Sequence, residues 1–482
     1  MSLERSAYDN KNLEGIMKLK RFLFCFLLAA ILILSPSVVL AEDGDTQEKT
    51  EEELAAEAEA QEKASSYEAK IDTNGLEAWP EGPKVYADSA VVMDMESGAI
   101  LYGKNMDAKH FPASITKLLT TLVALENADL ADKVKFTEDS ISFLQYDDAQ
   151  IGMKAGEELS LDDSLHAVLL ASANEVSHAV AESVGEQRLG GNYDTFIQKM
   201  NDRAKELGCT NSHWVNPNGL HDDEHYTTAH DMALIASAVY QQPEFRTIMG
   251  TLEYKIGPTN LTQEERVFQQ NHKMLWPENY YYYEYCTGGK TGYTDQAKTT
   301  LVTMADNGDM HLAAVVLYDY GVDAYTDTRA MMDYVFSNFK KVPVETLETS
   351  EDISNFNTEN PYVVLPQSVN FSSLEKNIVL TENGIRDGKI IYTYKGQAVG
   401  SAEVTLTEEG YQKLMGDTAA SDSRKIENKQ ETQPAPTEPA KDEKAEQPRL
   451  KLYVGIGSAA VLLILIIAGS VMLHRKNRNR KE

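Results

Sequence analysis

The stretch PASITKLL, residues 112–119, places a serine and a lysine at the start of a helix. Proline favours helix entry, and side chains three positions apart share one helical face. We therefore expect Ser114 and Lys117 to be in contact on a helix covering residues 114–127. A serine hydroxyl needs an adjacent base to become a nucleophile, and a lysine can be that base if burial and a second cation lower its pKa. Lys290 is the candidate second cation, although an ordinary solvated helix start carries the same Ser-x-x-Lys pattern.

A Ser-x-Asn pattern follows, where an apolar helix gives way to a more polar one. The apolar helix is predicted over residues 160–171, because Ser160 begins a capping box and apolar residues recur with helical period. Ser172 would relay a proton between Lys117 and a leaving amine, and Asn174 would hold a substrate carbonyl with its amide. A plain helix junction with capping polar residues is the alternative.

The stretch TGGKTGYT, residues 287–294, matches a phosphate-binding loop only in part. Such a loop begins with a glycine whose backbone wraps the phosphate, and Glu284 stands at that position here. A strand-like run follows, so we expect the stretch at a strand edge. There Gly292 would let a substrate backbone approach, while Lys290 and Thr291 would present donors to a carboxylate. A β-turn is the alternative.

The N-terminal end has the layout of a secretory signal over residues 1–41. A basic segment at 17–21 leads into the uncharged run 22–34, and small residues allow cleavage after Ala41. Acidic residues before the basic segment make Met17 the candidate true start. An uncleaved anchor helix is the alternative.

The C-terminal end is predicted to cross a membrane over residues 451–473. The run 452–473 carries no charge over 22 residues, which is long enough for a bilayer, and the basic tail 474–482 marks the cytoplasmic side. We therefore expect a single-pass protein of the cell membrane whose catalytic region lies outside the cytoplasm. A buried core helix is the alternative. Little ATP is available in that compartment, which further weakens the phosphate-loop interpretation.

The chain is acidic, with 75 Asp and Glu against 45 Lys and Arg and a formal net charge of −30. This balance argues against nucleic acid or anionic lipid as a partner of the outer region. We predict a disordered acidic spacer over residues 42–81, although Ala and Glu would permit a solvated helix there. We predict a disordered Pro-rich linker over residues 416–450.

Cys209 and Cys286 lie outside the signal, and the sequence leaves their pairing open. No metal or cofactor fingerprint is present, so none is expected.

Two domains are predicted between the spacer and the linker. Residues 82–341 mix helices with strand-like runs at 89–95 and 312–318, which indicates an α+β domain. Residues 342–415 are β-rich instead. Short strand-like runs and turn signals alternate there: runs at 363–365, 377–381, 390–394 and 402–406, and turns at Asn383-Gly384, Asp387-Gly388 and Lys395-Gly396.

The order and spacing of the three patterns make them far more specific than each one alone. Ser-x-x-Lys, Ser-x-Asn and Lys-Thr-Gly are separated by 58 and 118 residues, an order typical of penicillin-recognising serine enzymes. The chain resembles the D-alanyl-D-alanine carboxypeptidases of the low-molecular-mass penicillin-binding protein group, within the serine β-lactamase-like superfamily. Further stretches at 94–102, 216–221 and 227–229 resemble the same group. The resemblance covers about residues 85–341 and implies an antiparallel sheet with helices packed on it, followed by a small β-rich domain.

The resemblance implies three catalytic residues. Ser114 would attack the carbonyl between the last two D-alanines of a peptidoglycan stem peptide and become acylated. Lys117 would take the serine proton and later activate water, and Ser172 would help pass the proton to the departing D-alanine. β-Lactam antibiotics, which mimic D-Ala-D-Ala, would acylate the same serine.

The resemblance also implies the substrate-binding residues. Backbone N–H groups of Ser114 and Tyr293 would form an oxyanion hole. Lys290 and Thr291, next to Gly292, would bind the terminal carboxylate. Asn174 would bind the peptide.

Several positions depart from the family pattern and put substrate affinity in question. Ala173 and Glu175-Val176 stand where glycine and Asp-Ala are common, and residues 295–299 are more polar than usual. No arginine occurs between Arg266 and Arg329, so a second carboxylate-binding cation found in some relatives is not evident.

Four alternatives share parts of these patterns. A β-lactamase would need an additional deacylating glutamate on a dedicated loop, for which the sequence offers no convincing match. A membrane-tethered β-lactam sensor or wall-binding scaffold would be expected to have a larger cytoplasmic region than 474–482. A transpeptidase would pass the acyl group to an amine rather than to water. Triads built on His178, His221 or His225 lack supporting spacing, so these histidines are predicted to be surface or structural residues.

Overall fold

The computed structural model describes residues 49–381 and 386–416. The predicted signal, the transmembrane run, the basic tail and nearly all of the predicted linker lie outside the described residues, as does the turn predicted at Asn383-Gly384. In the described part of the chain, no helix combines the length and the apolar character that a membrane crossing requires.

The described residues up to Tyr411 belong to one compact unit. Its α-helices are α1 Glu51–Glu68, α2 Lys117–Asn127, α3 Asp139–Ser142, α4 Leu161–Leu170, α5 Asn174–Gln187, α6 Tyr193–Glu206, α7 Ala229–Tyr240, α8 Pro243–Met249 and α9 Asp323–Asn338. Its strands are β1 Ser89–Asp94, β2 Ile100–Lys104, β3 Lys133–Lys135, β4 Glu158–Ser160, β5 Glu253–Ile256, β6 Arg266–Gln269, β7 Cys286–Thr294, β8 Lys298–Asp306, β9 His311–Asp319, β10 Phe339–Pro343, β11 Ile353–Phe356, β12 Tyr362–Pro366, β13 Glu375–Leu380, β14 Asp387–Tyr394 and β15 Gln397–Leu406.

The centre of the molecule is a five-stranded antiparallel sheet in the order β2-β1-β9-β8-β7. The middle strands are continuous apolar runs with every residue of β1 buried, as expected for strands covered on both faces. Helices α7 and α9 pack on β9, and residues of α2, α4 and α5 join the same hydrophobic core. Strand β7, which carries the Lys-Thr-Gly stretch, lies at the edge of this sheet, as predicted. The predicted α+β architecture is therefore confirmed.

The elements that the sequence patterns predicted in the α+β region are present. The strand-like runs at 89–95 and 312–318 are β1 and β9, and the helix predicted over 160–171 is α4. Ser160 caps α4, because its hydroxyl accepts a 3.0 Å hydrogen bond from the backbone N–H of Asp163. The helix predicted over 114–127 differs in its first turn, which is a 3-10 helix, Ala113–Thr116, before α2 begins.

The β-rich region contains the sheet β11-β15-β14-β13 and the pair β10-β12. Its predicted runs fall in β12, β13, β14 and β15. The turn predicted at Asp387-Gly388 is wrong, because these residues begin β14 and Gly388 pairs with Val404. The turn at Lys395-Gly396 is confirmed: both residues have positive φ, +49° and +83°, as a two-residue hairpin turn of this kind requires.

The prediction of a disordered spacer over residues 42–81 differs from the structure, which contains an 18-residue helix, α1. Thr50 forms a capping box with Glu53 at its start. At its other end the buried Lys104 ammonium donates to the Ser66 carbonyl at 2.7 Å. Trp79 is buried beside Phe339, with ring centroids 5.2 Å apart. The contacts of Ser66 with Lys104 and of Trp79 with Phe339 join residues distant in sequence, so local composition did not indicate them.

Candidate active site

The turn that carries Ser114 is held in an unusual backbone conformation. Ala113 has a positive φ of +51°, which is uncommon for a residue other than glycine and typical of functional sites. Thr116 donates a 2.8 Å hydrogen bond to the Ala113 carbonyl. Gly219 packs so tightly behind the turn that a Cβ there would lie 1.8 Å from the Ala113 oxygen. The serine is therefore presented by a fixed turn rather than by a mobile loop.

Lys117 lies one turn after the serine, with its nitrogen 2.9 Å from the Ser114 hydroxyl oxygen. Its side chain is fully buried. The same nitrogen donates to the Asn174 amide oxygen at 2.7 Å and to the Asn218 main-chain carbonyl at 2.6 Å. The predicted contact of Ser114 with Lys117 is thus present.

Burial lowers the pKa of Lys117 well below its usual value, and the positive charge of Lys290 lowers it further. Glu175 and Asp148 oppose this shift with their negative charges. Burial also lowers the pKa of Lys290, to about 7. The shift favours the neutral form of Lys117, which is the form that a lysine base requires.

Ser172 lies in the junction between α4 and α5, as predicted for the Ser-x-Asn pattern. Its φ is +62°, so the chain turns sharply at this residue and places Asn174 in the first turn of α5. The backbone N–H of Asn174 donates to the Ala149 carbonyl at 2.8 Å, which fixes the start of α5. Both side chains are almost fully buried and line the same cavity as Ser114.

The Lys-Thr-Gly stretch approaches the nucleophile from the sheet edge. Alternate residues of a strand share a face, so Lys290 and Gly292 point to the same side of β7. A Cβ at Gly292 would lie 2.9 Å from the Ser114 nitrogen and 2.4 Å from the Thr300 hydroxyl. We expected glycine here to let substrate approach; the structure gives a second reason, the close packing of β7 against the serine turn.

The three motifs meet at a cavity of about 660 Å³. Of the predicted site residues, those lining it are Ser114, Ser172, Asn174, Thr291, Gly292 and Tyr293. Lys117 and Lys290 are buried beside it, and the Lys290 nitrogen donates to the Thr291 carbonyl at 2.8 Å. The cavity wall also carries the acidic side chains of Asp147, Asp148 and Asp295 and the basic side chain of Lys273.

Some site features were not evident in the sequence. The Asn218 carbonyl holds Lys117 through a backbone atom, which side-chain identity does not reveal, although the surrounding stretch 216–221 was noted as family-like. His221 lines the cavity, where its ring packs edge-on against Phe111, and is therefore closer to the site than predicted. His225 is structural, as predicted: it is buried and hydrogen-bonded to Thr116 at 2.8 Å.

The structure also shows the environment of Glu175 and the state of the two cysteines outside the predicted signal. Glu175, one of the departures from the family pattern, is buried and accepts a 2.8 Å hydrogen bond from the Ile151 N–H, so it holds the segment that follows Asp148. Cys209 and Cys286, whose pairing the sequence left open, are both free thiols.

A serine hydroxyl beside a buried lysine, at the edge of an antiparallel sheet with helices packed on it, is the arrangement of penicillin-recognising serine enzymes. Comparison with known proteins defines the family. The model of the family described as D-alanyl-D-alanine carboxypeptidase matches residues 77–321, and the chain belongs to this family. It is accordingly a serine peptidase.

Curated relatives agree with this assignment. D-alanyl-D-alanine carboxypeptidase DacF of Bacillus subtilis is 30% identical over 67% of this chain and 82% of the relative. DacA of Haemophilus influenzae, which bears the same enzyme name, is 27% identical over 68% of this chain and 86% of the relative. Among solved structures, the DD-transpeptidase of Streptomyces K15 is 26% identical over 54% of this chain and all of that chain, with a TM-score of 0.49.

Proposed function

We propose that the protein removes the terminal D-alanine from peptidoglycan stem pentapeptides through an acyl-enzyme on Ser114, and that penicillin acylates the same residue. The observation that carries this proposal is the set of contacts around the Lys117 nitrogen, which lies 2.9 Å from the Ser114 hydroxyl. Family membership supports the substrate class.

The surroundings of Lys117 suit a neutral amine. A neutral amine has two N–H groups and one lone pair. The oxygens of Asn174 and Asn218, at 2.7 and 2.6 Å, accept from the two N–H groups. The lone pair is then free to accept the Ser114 proton as the hydroxyl oxygen attacks the substrate carbonyl.

Bond making and breaking follow from this arrangement. The Ser114 oxygen bonds to the carbonyl carbon, and the proton it loses moves to Lys117. As the C–N bond to the terminal D-alanine breaks, Ser172 passes this proton to the departing amine. Backbone N–H groups of Ser114 and Tyr293 would stabilise the negative oxygen, a contribution of about 3 to 4 kcal/mol per donor in enzymes of this kind. The close approach of Gly292 to the Ser114 nitrogen supports their pairing.

The second half of the reaction releases the shortened peptide. Lys117 takes a proton from a water molecule as that water attacks the ester carbonyl carbon. The bond from this carbon to the Ser114 oxygen then breaks, and Lys117 returns the proton to the serine oxygen. Lys290 and Thr291 are proposed to recognise the terminal carboxylate of the substrate, and Asn174 its peptide group. Burial lowers the pKa of Lys290 to about 7, so its charge depends on the groups close to it. A bound carboxylate would favour the charged form of this lysine.

We also propose that the protein acts at the outer face of the cell membrane. The supporting features are sequence patterns alone: the signal-like residues 1–41, the uncharged run 452–473 and the basic tail 474–482. In this arrangement the residues after 416 would tether the enzyme near its wall substrate.

The test uses the full chain, purified in detergent, with a pentapeptide ending in D-Ala-D-Ala and with labelled penicillin. The wild-type protein should release D-alanine and take up the label, and Ser114→Ala should do neither. Ser237→Ala is a matched control, because Ser237 lies on α7 and donates only to the Ala233 carbonyl. An added amine acceptor separates hydrolysis from transpeptidation.

Three outcomes would contradict the proposal. Release of D-alanine by Ser114→Ala would show that the nucleophile is another residue. Labelling by penicillin without release of D-alanine would favour a sensor or scaffold. Rapid turnover of penicillin would favour a β-lactamase.

A further inference from the structure

Helix α1 crosses one end of the central sheet. The residues with which it contacts the sheet are spaced three or four apart and so form one side of the helix: Ser66, Lys63, Glu62 and Glu59. Their partners, in the same order, are Lys104 of β2, Tyr86 just before β1, Tyr318 of β9 and Lys298 of β8. This is also the order of the strands in the sheet, so α1 contacts four neighbouring strands at one end.

The contacts that hold α1 on the sheet are largely polar. Ser66 is buried, and the other residues of this helix are exposed or half-buried. Lys63 forms an ion pair with Asp323, and its ammonium lies 4.5 Å from the ring centroid of Tyr86. The Tyr318 hydroxyl donates to the carboxylate of Glu62 at 3.3 Å. A change of charge on α1 can therefore alter these contacts without changing the hydrophobic core.

One of these contacts reaches the wall of the active-site cavity. The Lys298 ammonium donates to the Glu59 carboxylate at 3.1 Å. Lys298 pairs with Thr294 at the end of the β7–β8 hairpin, and its φ is +53°. Thr294 and Thr299, the residue after Lys298, both line the cavity. Tyr293, whose N–H is proposed to stabilise the oxyanion, directly precedes Thr294. Glu59 thus holds the catalytic hairpin from outside the cavity.

A second part of the cavity wall is attached to α1 through the ion pair at Asp323. The neighbours of Asp323 in the chain, Val322 and Ala324, line the cavity. The backbone N–H of Gly321 donates to the Thr299 hydroxyl at 2.9 Å, which joins this part to the hairpin. Helix α1 is therefore attached at two points to one continuous part of the wall.

The C-terminal end of α1 is fixed independently of the cavity. The buried Lys104 ammonium donates to the Ser66 carbonyl at 2.7 Å and to its hydroxyl at 3.2 Å. The rings of Tyr67 and Tyr86 pack with centroids 4.6 Å apart. A surface ion pair usually contributes little, in part because two mobile side chains must become ordered. Less order is lost here, because the backbone that carries Glu59 is already held.

We propose that α1 stabilises the position of the β7–β8 hairpin in the cavity wall, and that Glu59 is a positioning residue for the acylation of Ser114. This inference rests on the proposed function. It adds an element that precedes residues 77–321, the part of the chain that the family model matches. The ion pair of Glu59 with Lys298 keeps the Tyr293 N–H in place beside the serine.

The position of the hairpin matters most in the transition state, because the oxyanion forms only there. Loss of the ion pair should therefore lower kcat and leave KM nearly unchanged. The rate of acylation by penicillin should fall in the same proportion, since it uses the same serine and the same oxyanion donors.

The experiment reverses the charges of the pair in the full chain. Glu59→Lys and Lys298→Glu should each lower kcat for D-alanine release by about threefold to tenfold, because attraction at the hairpin becomes repulsion. The double variant should recover most of the rate, since the pair forms again with opposite signs. Rates of penicillin labelling should follow the same pattern.

Glu265→Lys is the matched control. The Glu265 side chain is 51% exposed, against 52% for Glu59, and it forms a 2.9 Å ion pair with Lys255. Neither Glu265 nor Lys255 lines the cavity. The control makes the same change of charge in a similar surface pair, and it should keep the wild-type kcat.

Wild-type kcat in both single variants would overturn the inference, as would a double variant no faster than the slower single one. A raised KM with unchanged kcat would also overturn it, because Glu59 would then act on substrate binding. General destabilisation does not imitate the expected recovery, since two reversals would then cost more than one. Failure of the proposed function is a separate result: the wild-type protein would release no D-alanine, and the rates of penicillin labelling would still test Glu59.

Discussion

The amide oxygen of Asn174 lies 2.7 Å from the nitrogen of Lys117, although 57 residues separate them in the chain. An amide is an uncharged acceptor. It can hold the amine in place without stabilising its protonated form as a carboxylate would. Burial is the main cause of the lowered pKa of Lys117, and the uncharged amide at position 174 does not oppose that shift.

Asn174→Asp is expected to move the pH dependence of the enzyme. A carboxylate at 2.7 Å would raise the pKa of Lys117, so the neutral base would form only at higher pH. The acidic limb of kcat/KM for D-alanine release should shift upward by about one pH unit or more, and activity at neutral pH should fall at least tenfold. A pH–rate profile of the purified variant measures this shift.

The matched control is Asn174→Ala, which removes the acceptor without adding a charge. It should lower the rate but leave the acidic limb near its wild-type position. A wild-type pH profile for Asn174→Asp would show that Lys117 is not the titrating base.

Gly292→Ala is expected to disable acylation without unfolding the protein. The added methyl would lie 2.4 Å from the Thr300 hydroxyl and 2.9 Å from the Ser114 nitrogen, so β7 and the serine turn must separate. Misplacement of reacting groups by about 1 Å can cost roughly a hundredfold in rate. The rate of labelling by penicillin is the measurement.

Gly257→Ala serves as the control for Gly292→Ala, because a Cβ at Gly257 would meet nothing within 4 Å. It should label at the wild-type rate. Wild-type labelling by Gly292→Ala would show that the contact between β7 and the serine turn is not needed for acylation.

Lys104→Met is expected to destabilise the attachment of α1. The Lys104 nitrogen donates to the main-chain carbonyls of Ser66, Val85 and Ala87 at 2.7, 2.9 and 2.6 Å, and a methionine would remove all three hydrogen bonds. The free energy of unfolding should fall by about 2 to 4 kcal/mol. Urea unfolding measures the loss, and limited trypsin digestion should cut earlier between α1 and β1.

Lys84→Met is the comparison for Lys104→Met. Lys84 is exposed and pairs with Glu68 on the surface, so its loss should change stability little. Equal unfolding curves for wild-type and Lys104→Met proteins would show that the three carbonyl contacts do not stabilise α1.

Much of the catalytic site could be predicted from the sequence, because its signals are local. The spacing of Ser114 and Lys117 indicates a shared helical face, whatever the rest of the chain does. The junction at Ser172 and the strand at residues 287–294 can be predicted because the spacing of apolar residues along the chain changes at these positions. The order of these motifs then indicated the family that the comparisons establish.

The errors in the prediction occur where distant contacts outweigh local composition. The acidic segment preceding residue 82 lacks the bulky apolar residues that usually order a chain, yet Lys104 and Phe339 supply partners for Ser66 and Trp79. Asp387-Gly388 has turn composition, yet pairing with β15 extends β14 through it. Intrinsic preference is weak compared with such tertiary contacts.

The sequence by itself determined which groups can react: a hydroxyl and an amine one helical turn apart, and a second lysine on a strand. Only the tertiary structure decided their chemistry. It buries Lys117 and sets it between Asn174 and Asn218, and it places Lys273 on the cavity wall. The physical reason is that spacing fixes which side chains share a face, whereas pKa and ligand attraction depend on burial and on charges brought together by folding.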